Sequence, residues 1–266
     1  MQYFTSGLYG DLKRYMAIKE KLLRRESDHL WIVGDVLDGN TERPWEGLQI
    51  IDDIYQSKNV TLLVGDHEYY HALYLMGVLA GESEEELEFT AEALDNLEIS
   101  GAALREYMVS SLSKQELESY ATILKDLEVS ALVNVGNSYL YLCHGVPSSV
   151  RPDSGHQGLF EWQSGVVMGE LDLEANLGRN VPFDPKASEW VKEFGSPECF
   201  RNPIVVNGGE FVASVSARGE PLIDGVYFGN RKFVINEGFS ADDKERGPFS
   251  ILGMDAAGWG VKKIRL

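Results

Sequence analysis

The chain has 266 residues, of which 44% are hydrophobic, which is enough for one large α/β domain with a full core. Its formal net charge of −18 opposes binding to a phosphate backbone, so we expect no nucleic-acid partner. No apolar run approaches the roughly 18 to 20 residues of a membrane span, and Met1–Thr5 shows no signal-peptide pattern, so we expect no membrane association. Cys143 and Cys199 lie far apart without metal-ligand spacing, which favours a reducing, cytoplasmic location.

The first third of the chain alternates between predicted strands and helices. Apolar, β-branched segments predict the strands, and apolar residues at three-to-four spacing predict the helices. The expected elements are strands at Tyr3–Ser6, His29–Val33 and Val60–Val64 and helices at Leu12–Arg24 and Pro44–Gln56. This alternation indicates a parallel sheet with right-handed crossovers, whose active-site loops lie at the carboxyl ends of the strands.

The composition changes between Glu82 and Glu128, where glutamate-rich sequence carries Leu, Ala and Tyr at helical spacing. We expect two or three helices there, which form a cap over or beside the sheet. A solvated acidic face is the simpler interpretation of this segment. The alternative is a lid that selects substrate or binds a partner.

The rest of the chain is rich in predicted hairpins. Gly136-Asn137 is a type I′ turn signal between two strand candidates, the second of which ends at His144-Gly145. The expected elements are strands at Ala131–Val135, Ser138–Cys143, Pro203–Val206, Gly225–Phe228, Lys232–Ile235, Phe249–Leu252 and Gly260–Ile264, a loop at Pro152–Gly158 and a short helix at Ser188–Phe194. Strand-rich hairpins after an α/β half indicate a second sheet packed on the first.

Ionisable side chains cluster in the loops that follow two of the early strands. Gly34-Asp35-Val36-Leu37-Asp38 places two carboxylates three residues apart, and Gly65-Asp66-His67-Glu68 places three ionisable side chains in succession. Such a cluster is costly unless a cation or another partner offsets its repulsion. His144, at a later strand end, adds a nitrogen ligand. The cluster predicts a metal-assisted phosphoester site.

In these loops the chain resembles the calcineurin-like metallophosphoesterases, in the branch of serine/threonine phosphoprotein phosphatases and symmetrical diadenosine-tetraphosphate hydrolases. That family orders its motifs as GDxHG, GDxxDRG, GNHE, a strand-end HG and a later GH. The corresponding stretches are Ser6–Gly10, Gly34–Asn40, Gly65–Glu68, His144-Gly145 and Asn207–Gly209. The resemblance implies a single domain over residues 1–266, folded as a four-layer αββα sandwich with an acidic helical insertion at about 82–128.

The resemblance also implies roles for the clustered residues. The family uses two adjacent metal ions, commonly Mn, Fe or Zn, in phosphoester hydrolysis. By position, Asp35 corresponds to the carboxylate that bridges both ions, Asp66 replaces an Asn ligand of the second ion, and His144 is the first of that ion's two later His ligands. His67 corresponds to the general acid that protonates the leaving oxygen, and Asp38 to the carboxylate that orients it.

Four positions depart from the family pattern. They are Gly7 in place of the first-motif Asp, Tyr9 in place of its His, Gly39 in place of the phosphate-binding Arg, and Gly208 in place of the last His. The first metal site therefore keeps only Asp35, and we expect it to be empty. The second keeps three ligands, the number that a catalytic zinc site takes from its protein.

Two functions stay open at this point. A pseudophosphatase would bind a phosphorylated small molecule or a protein partner without turnover, because one ion and the phosphate Arg are missing. A one-metal phosphoesterase would instead hydrolyse a phosphomonoester or a nucleotide polyphosphate through Asp35, Asp66 and His144, with His67 as the acid. With either function, the single metal ion would be Mn, Zn or Fe. A further possibility is that the site binds no metal ion.

Four further residues near the motifs have weaker claims to a role. We expect His71, one helical turn after His67, to pack on a helix face, with contact to the same pocket as the alternative. We expect Tyr9 to fill the space of the missing ion rather than act as a nucleophile. A solvated loop is the simpler interpretation of His156, against contact with a metal ion. Arg43 is a surface residue unless it turns toward a bound phosphate.

Overall fold

The computed structural model describes residues 1–96, 101–136, 138–144, 204–207, 214–215, 221–222, 224–227, 232–235 and 249–264. These ranges contain six helices and twelve strands. The predicted loop at Pro152–Gly158 and the predicted helix at Ser188–Phe194 lie outside them, as do Cys199, His156 and Gly208. No helix of the described part is long and apolar enough to cross a membrane.

The first sheet is built around three parallel strands. β1 (Gln2–Thr5) pairs in parallel with β2 (His29–Val33), and β2 pairs in parallel with β3 (Val60–Leu63). Helix α1 (Leu12–Leu22) connects β1 to β2, and α2 (Trp45–Gln56) connects β2 to β3. The alternating pattern of the sequence predicted this arrangement, and it brings the loops after all three strands to one edge of the sheet.

Helix α3 (Asp66–Ala80) follows β3 directly and ends at Gly81, whose left-handed conformation closes the helix. Three more helices form the insertion, namely α4 (Glu84–Asn96), α5 (Ala102–Ser111) and α6 (Lys114–Lys125). Helices α4 and α6 pack against α3. The predicted helices are confirmed. The glutamates of the first turn of α4 are exposed, as the simpler interpretation expects, while apolar residues such as Leu94, Leu104 and Leu117 are buried.

The predicted hairpin forms the edge of a second sheet. Strands β4 (Ser130–Val135) and β5 (Ser138–Cys143) pair antiparallel. The remaining strands of this sheet are β6 (Ile204–Asn207), β9 (Asp224–Tyr227) and β10 (Lys232–Ile235), in the order β4-β5-β6-β10-β9. Strands β7 (Ser214–Val215) and β8 (Pro221–Leu222) form a separate short ladder.

The last two strands join the first sheet. β11 (Phe249–Asp255) pairs antiparallel with β1, and β12 (Gly258–Ile264) pairs antiparallel with β11 at the sheet edge. The expectation that all later strands belong to the second sheet is therefore wrong for this hairpin, and the first sheet is mixed rather than wholly parallel. A local hydrophobic pattern identifies a strand but does not identify a partner that lies more than 200 residues away.

Two apolar layers cover the two faces of the first sheet. On one face, Phe4 and Val33 pack with Leu140 and Leu142 of the second sheet. On the other face, strand residues pack with buried residues of α1, α2 and α3 and of the insertion, including Ile18, Ile51, Leu75 and Leu104. The predicted α/β sandwich is thus confirmed, and its layers fix the strand ends that carry the ionisable cluster.

Candidate metal centre at the strand ends

A buried glutamate joins the two acidic loops. The carboxylate of Glu68 accepts hydrogen bonds from the backbone N–H groups of Asp35, Val36 and Leu37, at 2.8 to 3.0 Å. The N–H of Gly65, in the other loop, donates a fourth bond at 2.9 Å. Because Glu68 is fully buried and both of its oxygens are occupied, it holds the loops in place and is not a metal ligand. The sequence placed Glu68 in the cluster but did not reveal this role.

Asp35, Asp66 and His144 converge at the ends of β2, β3 and β5. One ligand atom from each lies within 4.8 Å of the other two, and Nε2 of His144 is 3.2 Å from Oδ1 of both carboxylates. Nδ1 of His144 lies 2.7 Å from the carbonyl oxygen of Val33. A carbonyl oxygen only accepts, so Nδ1 must donate, and in the neutral ring the lone pair on Nε2 faces the carboxylates.

These three residues fit a divalent metal ion. Ligand bonds of about 2.0–2.2 Å at tetrahedral angles separate ligand atoms by roughly 3.4 Å, close to the separations from His144. Oδ1 of Asp35 is buried and forms no hydrogen bond among the residues that the structure describes, although Nε2 of His144 lies 3.2 Å away. An unsatisfied buried carboxylate oxygen is costly, and an ion would satisfy it. Carboxylate and imidazole ligands suit Mn, Zn and Fe.

The charges of this group are mutually dependent. Burial raises the pKa of Asp35 well above its usual range. Burial also opposes ionisation of Asp66, but the hydrogen bond from His144 and the nearby His67 lower the pKa of its carboxyl. For His144, the two carboxylates outweigh the effect of burial and raise the pKa to about 9. In the absence of a cation, protonated His144 therefore offsets the carboxylate charge, and a bound ion would take over that task.

Tyr9 occupies the other side of the Asp35 carboxylate. Its hydroxyl donates to Oδ2 of Asp35 at 3.1 Å, and its ring is almost completely buried. A Cβ at Gly39 would lie 2.5 Å from Cβ and 2.7 Å from the backbone oxygen of Tyr9, so the close approach of the two loops leaves no room for a larger residue at position 39. The described residues hold no second group of three metal-ligand side chains. Tyr9 fills space beside Asp35, and that this is the space of a missing ion stays a prediction.

Asp38 is shared by two histidines of α3. Its Oδ2 lies 2.7 Å from Nδ1 of His67, and its Oδ1 lies 2.7 Å from Nε2 of His71. Burial alone would lower the pKa of His67, but the bond to Asp38 and the charges of Asp35 and Asp66 raise it to about 10. The expectation of simple packing for His71 is wrong, because residues one helical turn apart share a face and both rings reach the same carboxylate.

Backbone strain is concentrated at this site. Among the described residues, the non-glycine residues with positive φ are Tyr9, Asp35 and Asp38, at 44°, 59° and 69°. Left-handed conformations of this kind persist where surrounding contacts impose them, and they cluster at functional sites. The neighbouring Gly34 also has a positive φ, and a Cβ there would lie 2.2 Å from Nδ1 of His144. The close approach of these loops therefore requires glycine at this position.

Arg43 does not contribute to the site. Its guanidinium is exposed and forms an ion pair with Glu46 at 2.7 Å, on the first turn of α2. Arg43 therefore lies on the surface, as expected. Cys143 is fully buried at the end of β5.

Two packed sheets bring carboxylate and imidazole side chains together at the ends of β2, β3 and β5, and a solved phosphatase structure shares this fold. A serine/threonine phosphatase from Saccharomyces cerevisiae, described as similar to human phosphatase PP5, shares this fold with a TM-score of 0.54 and 12% identity. The match covers 100% of this chain and 79% of that one. A hypothetical protein from Pyrococcus horikoshii OT3 matches with a TM-score of 0.50 and 16% identity, over 100% and 88% of the two chains.

Sequence comparison adds nothing to this structural likeness. No protein-family model matches the chain, and no curated protein matches it. At identities of 12% and 16%, the structural similarity shows the fold.

Proposed function

We propose that this chain is a metallophosphoesterase-type protein that binds one divalent metal ion through Asp35, Asp66 and His144. Through that ion it binds a phosphorylated small molecule or protein, with little or no turnover. The observation that carries this proposal is that the two oxygens of the Asp35 carboxylate have different neighbours. Its Oδ1 is buried beside His144 and forms no hydrogen bond in the described structure, whereas its Oδ2 accepts the hydroxyl of Tyr9.

The chain's own residues prepare this site before any ligand arrives. Val33 orients the His144 ring, and Glu68 fixes the loops that carry Asp35 and Asp66. When bound, a divalent ion supplies a Lewis acid for phosphate oxygens. This preorganisation supports binding, because the ligand atoms need little rearrangement to meet the ion.

Slow turnover follows from what surrounds the site. Tyr9 stands beside Asp35 where the resemblance implies a second ion, and position 39 has no room for the side chain of an arginine. Each electrostatic donor missing from a transition state typically costs about 10²–10³ in rate. Two such elements are absent, so we expect binding to dominate over hydrolysis.

A one-metal phosphoesterase is the second candidate, and the contact between His67 and Asp38 favours it. The pKa of His67, raised to about 10, keeps a proton on the ring at neutral pH. Asp38 engages Nδ1, which leaves Nε2 as the nitrogen that would give its proton to a leaving oxygen. The pairing of His67 with Asp38 therefore supports a proton-donating role for His67 in this second candidate.

Metal content, phosphate binding and hydrolysis of an aryl phosphate distinguish these functions. We expect protein supplied with Mn²⁺ or Zn²⁺ to hold one ion per chain and to bind inorganic phosphate only in its presence. Turnover that His67→Asn abolishes would establish the phosphoesterase instead. His29→Asn is the matched control, since His29 contacts Thr61 at 2.9 Å on the first sheet and lies outside the metal-ligand group. Absence of both metal and phosphate binding would reject both functions.

A further inference from the structure

The Asp38 carboxylate has two buried histidine partners, and the second candidate function, a one-metal phosphoesterase, uses only His67. His71 is fully buried on α3, and its Nε2 contacts Oδ1 of Asp38 at 2.7 Å. Asp38 itself has no exposed side-chain surface. A carboxylate in this setting needs donors on both oxygens, because an unpartnered buried oxygen destabilises the fold.

The hydrogen-bond pattern identifies the nitrogen of the His71 ring that bonds Asp38. Asp38 accepts, so Nε2 of His71 carries the proton that is donated. Nδ1 of His71 is buried and has no partner among the described residues. A proton on Nδ1 would have no acceptor among the described residues, so Nε2 alone carries the contact of His71 with Asp38.

We propose that His71 is a positioning residue, which holds Oδ1 of Asp38 so that Oδ2 stays aligned with Nδ1 of His67. Without this second bond the carboxylate can rotate about its Cβ–Cγ bond and share its charge with other donors. Alignment of His67 as a proton donor rests on the second candidate function, the one-metal phosphoesterase. The contact between His71 and Asp38 is independent of that function, because it needs neither metal nor substrate.

The insertion packs directly on this contact. Gly101, which precedes α5, donates its N–H to the carbonyl oxygen of Leu94 at 2.8 Å. A Cβ at position 101 would lie 3.1 Å from Oδ2 of Asp38 and 3.2 Å from Nε2 of His71. Gly101 thus lies beside the shared carboxylate, and a methyl group there, which would also lie 2.9 Å from Cδ2 of Leu94, would disturb both bonds without removing a polar atom.

The direct test is to observe the imidazole N–H protons by NMR in protein carrying isotope-labelled histidine. The chain has five histidines, so single substitutions assign the signals. We expect a strongly hydrogen-bonded Nδ1–H signal from His67 in the unaltered protein. In His71→Leu this signal should move upfield and exchange with water at least about tenfold faster, since a bond to a charged acceptor constrains its partner strongly.

A conservative variant separates positioning from packing. The amide nitrogen of glutamine can occupy the place of Nε2, so His71→Gln should keep the His67 signal close to that of the unaltered protein. If the chain hydrolyses an aryl phosphate, His71→Leu should lower kcat with KM unchanged, and His71→Gln should restore part of the rate. An unchanged His67 signal in folded His71→Leu would overturn the proposal.

If His71→Leu does not fold, Gly101→Ala provides a second way to disturb the contact between His71 and Asp38. We expect it to shift the His67 and His71 signals together. Gly260→Ala is the matched control, because a Cβ there would meet no atom within 4 Å. Equal spectra for Gly101→Ala and Gly260→Ala would show that the contact tolerates displacement, and this result would contradict a positioning role.

Discussion

The hydroxyl of Tyr9 donates a hydrogen bond to Oδ2 of Asp35 at 3.1 Å, while Oδ1 of the same carboxylate lies 3.2 Å from Nε2 of His144. The two oxygens of one carboxylate therefore lie next to different groups, a phenol and an imidazole. Only the side of His144 also offers Asp66, so we infer that this side alone holds a metal ion.

Tyr9→Phe tests whether the phenol helps to orient Asp35. Loss of an outer hydrogen bond to a ligand typically weakens metal binding by about 10–100-fold. We expect a loss of about tenfold for Zn²⁺, measured by competition with a chromophoric chelator. Tyr120→Phe is the control, because its hydroxyl bonds Asp52 at 2.9 Å, outside the metal-ligand group. Equal affinity in the two variants would show that Tyr9 only fills space.

Gly7→Asp tests how the first loop accommodates Tyr9. Gly7 has a φ of +60°, and a Cβ there would lie 3.1 Å from Cε2 of Tyr9. We expect this substitution alone to lower the free energy of unfolding by about 1–2 kcal/mol through the left-handed backbone.

The double change Gly7→Asp with Tyr9→His should be less destabilising than the two single changes together, because the shorter ring removes the close contact. Urea unfolding of all four proteins measures this coupling. The double variant should also gain a second, weaker metal equivalent. A folded double variant with no gain in metal content would show that the loop itself excludes the first ion.

Glu68→Gln tests whether the hydrogen bonds of Glu68 hold together the two loops that carry Asp35 and Asp66. Each carboxylate oxygen accepts two backbone N–H groups, and an amide nitrogen in place of one oxygen would face two donors. We expect the free energy of unfolding to fall by about 2 kcal/mol or more, together with a loss of metal affinity. The control is Glu116→Gln, whose exposed carboxylate bonds only Ser113 and should change neither property appreciably. An unaltered metal affinity in Glu68→Gln would contradict the role assigned to it.

The ion pair between Asp38 and His67 should give stability a characteristic pH dependence. Burial opposes ionisation of Asp38, but His71 and His67 lower its pKa to about 2, from 3.8. The pKa of His67 is raised from 6.5 to about 10. The Asp38 contribution is therefore complete above pH 3.8 and lost as the pH falls through 2. The His67 contribution is complete below pH 6.5 and lost as the pH rises through 10.

Urea unfolding of the unaltered protein and Asp38→Asn checks this dependence. The difference in unfolding free energy should be largest between about pH 4 and pH 6.5 and should decline on both sides. On the acid side the decline should amount to roughly 2 kcal/mol, since one pKa unit corresponds to about 1.4 kcal/mol. A difference that is constant from pH 3 to pH 9 would show that the two residues are not ionised together.

The sequence predicted those parts of the fold that local patterns determine. Strands β1 to β3 and helices α1 and α2 follow regular apolar periods, and the turn at Gly136 marks the β4–β5 hairpin. Helix α3 was not among the predicted elements, because Asp66–Ala80 is apolar on several faces and shows no clear period. The pairing of β11 with β1 depends on packing between the ends of the chain, which no local pattern encodes.

The site was predictable in its members but not in its contacts. Motif order brought Asp35, Asp66 and His144 together, and the structure places them within 4.8 Å of one another. The contact of His71 with Asp38 could have been inferred from its helical spacing after His67. The four bonds to Glu68 depend on how two loops approach each other, so only the structure reveals them.

Metal stoichiometry tests the central claim most directly. Calorimetric titration of the purified protein with Zn²⁺ should give one ion per chain. Asp66→Asn should keep that ion with weaker affinity, because an amide oxygen still ligates without the charge, and His144→Ala should abolish tight binding. Binding of no ion, or of one ion that His144→Ala leaves unchanged, would contradict a metal centre at Asp35, Asp66 and His144.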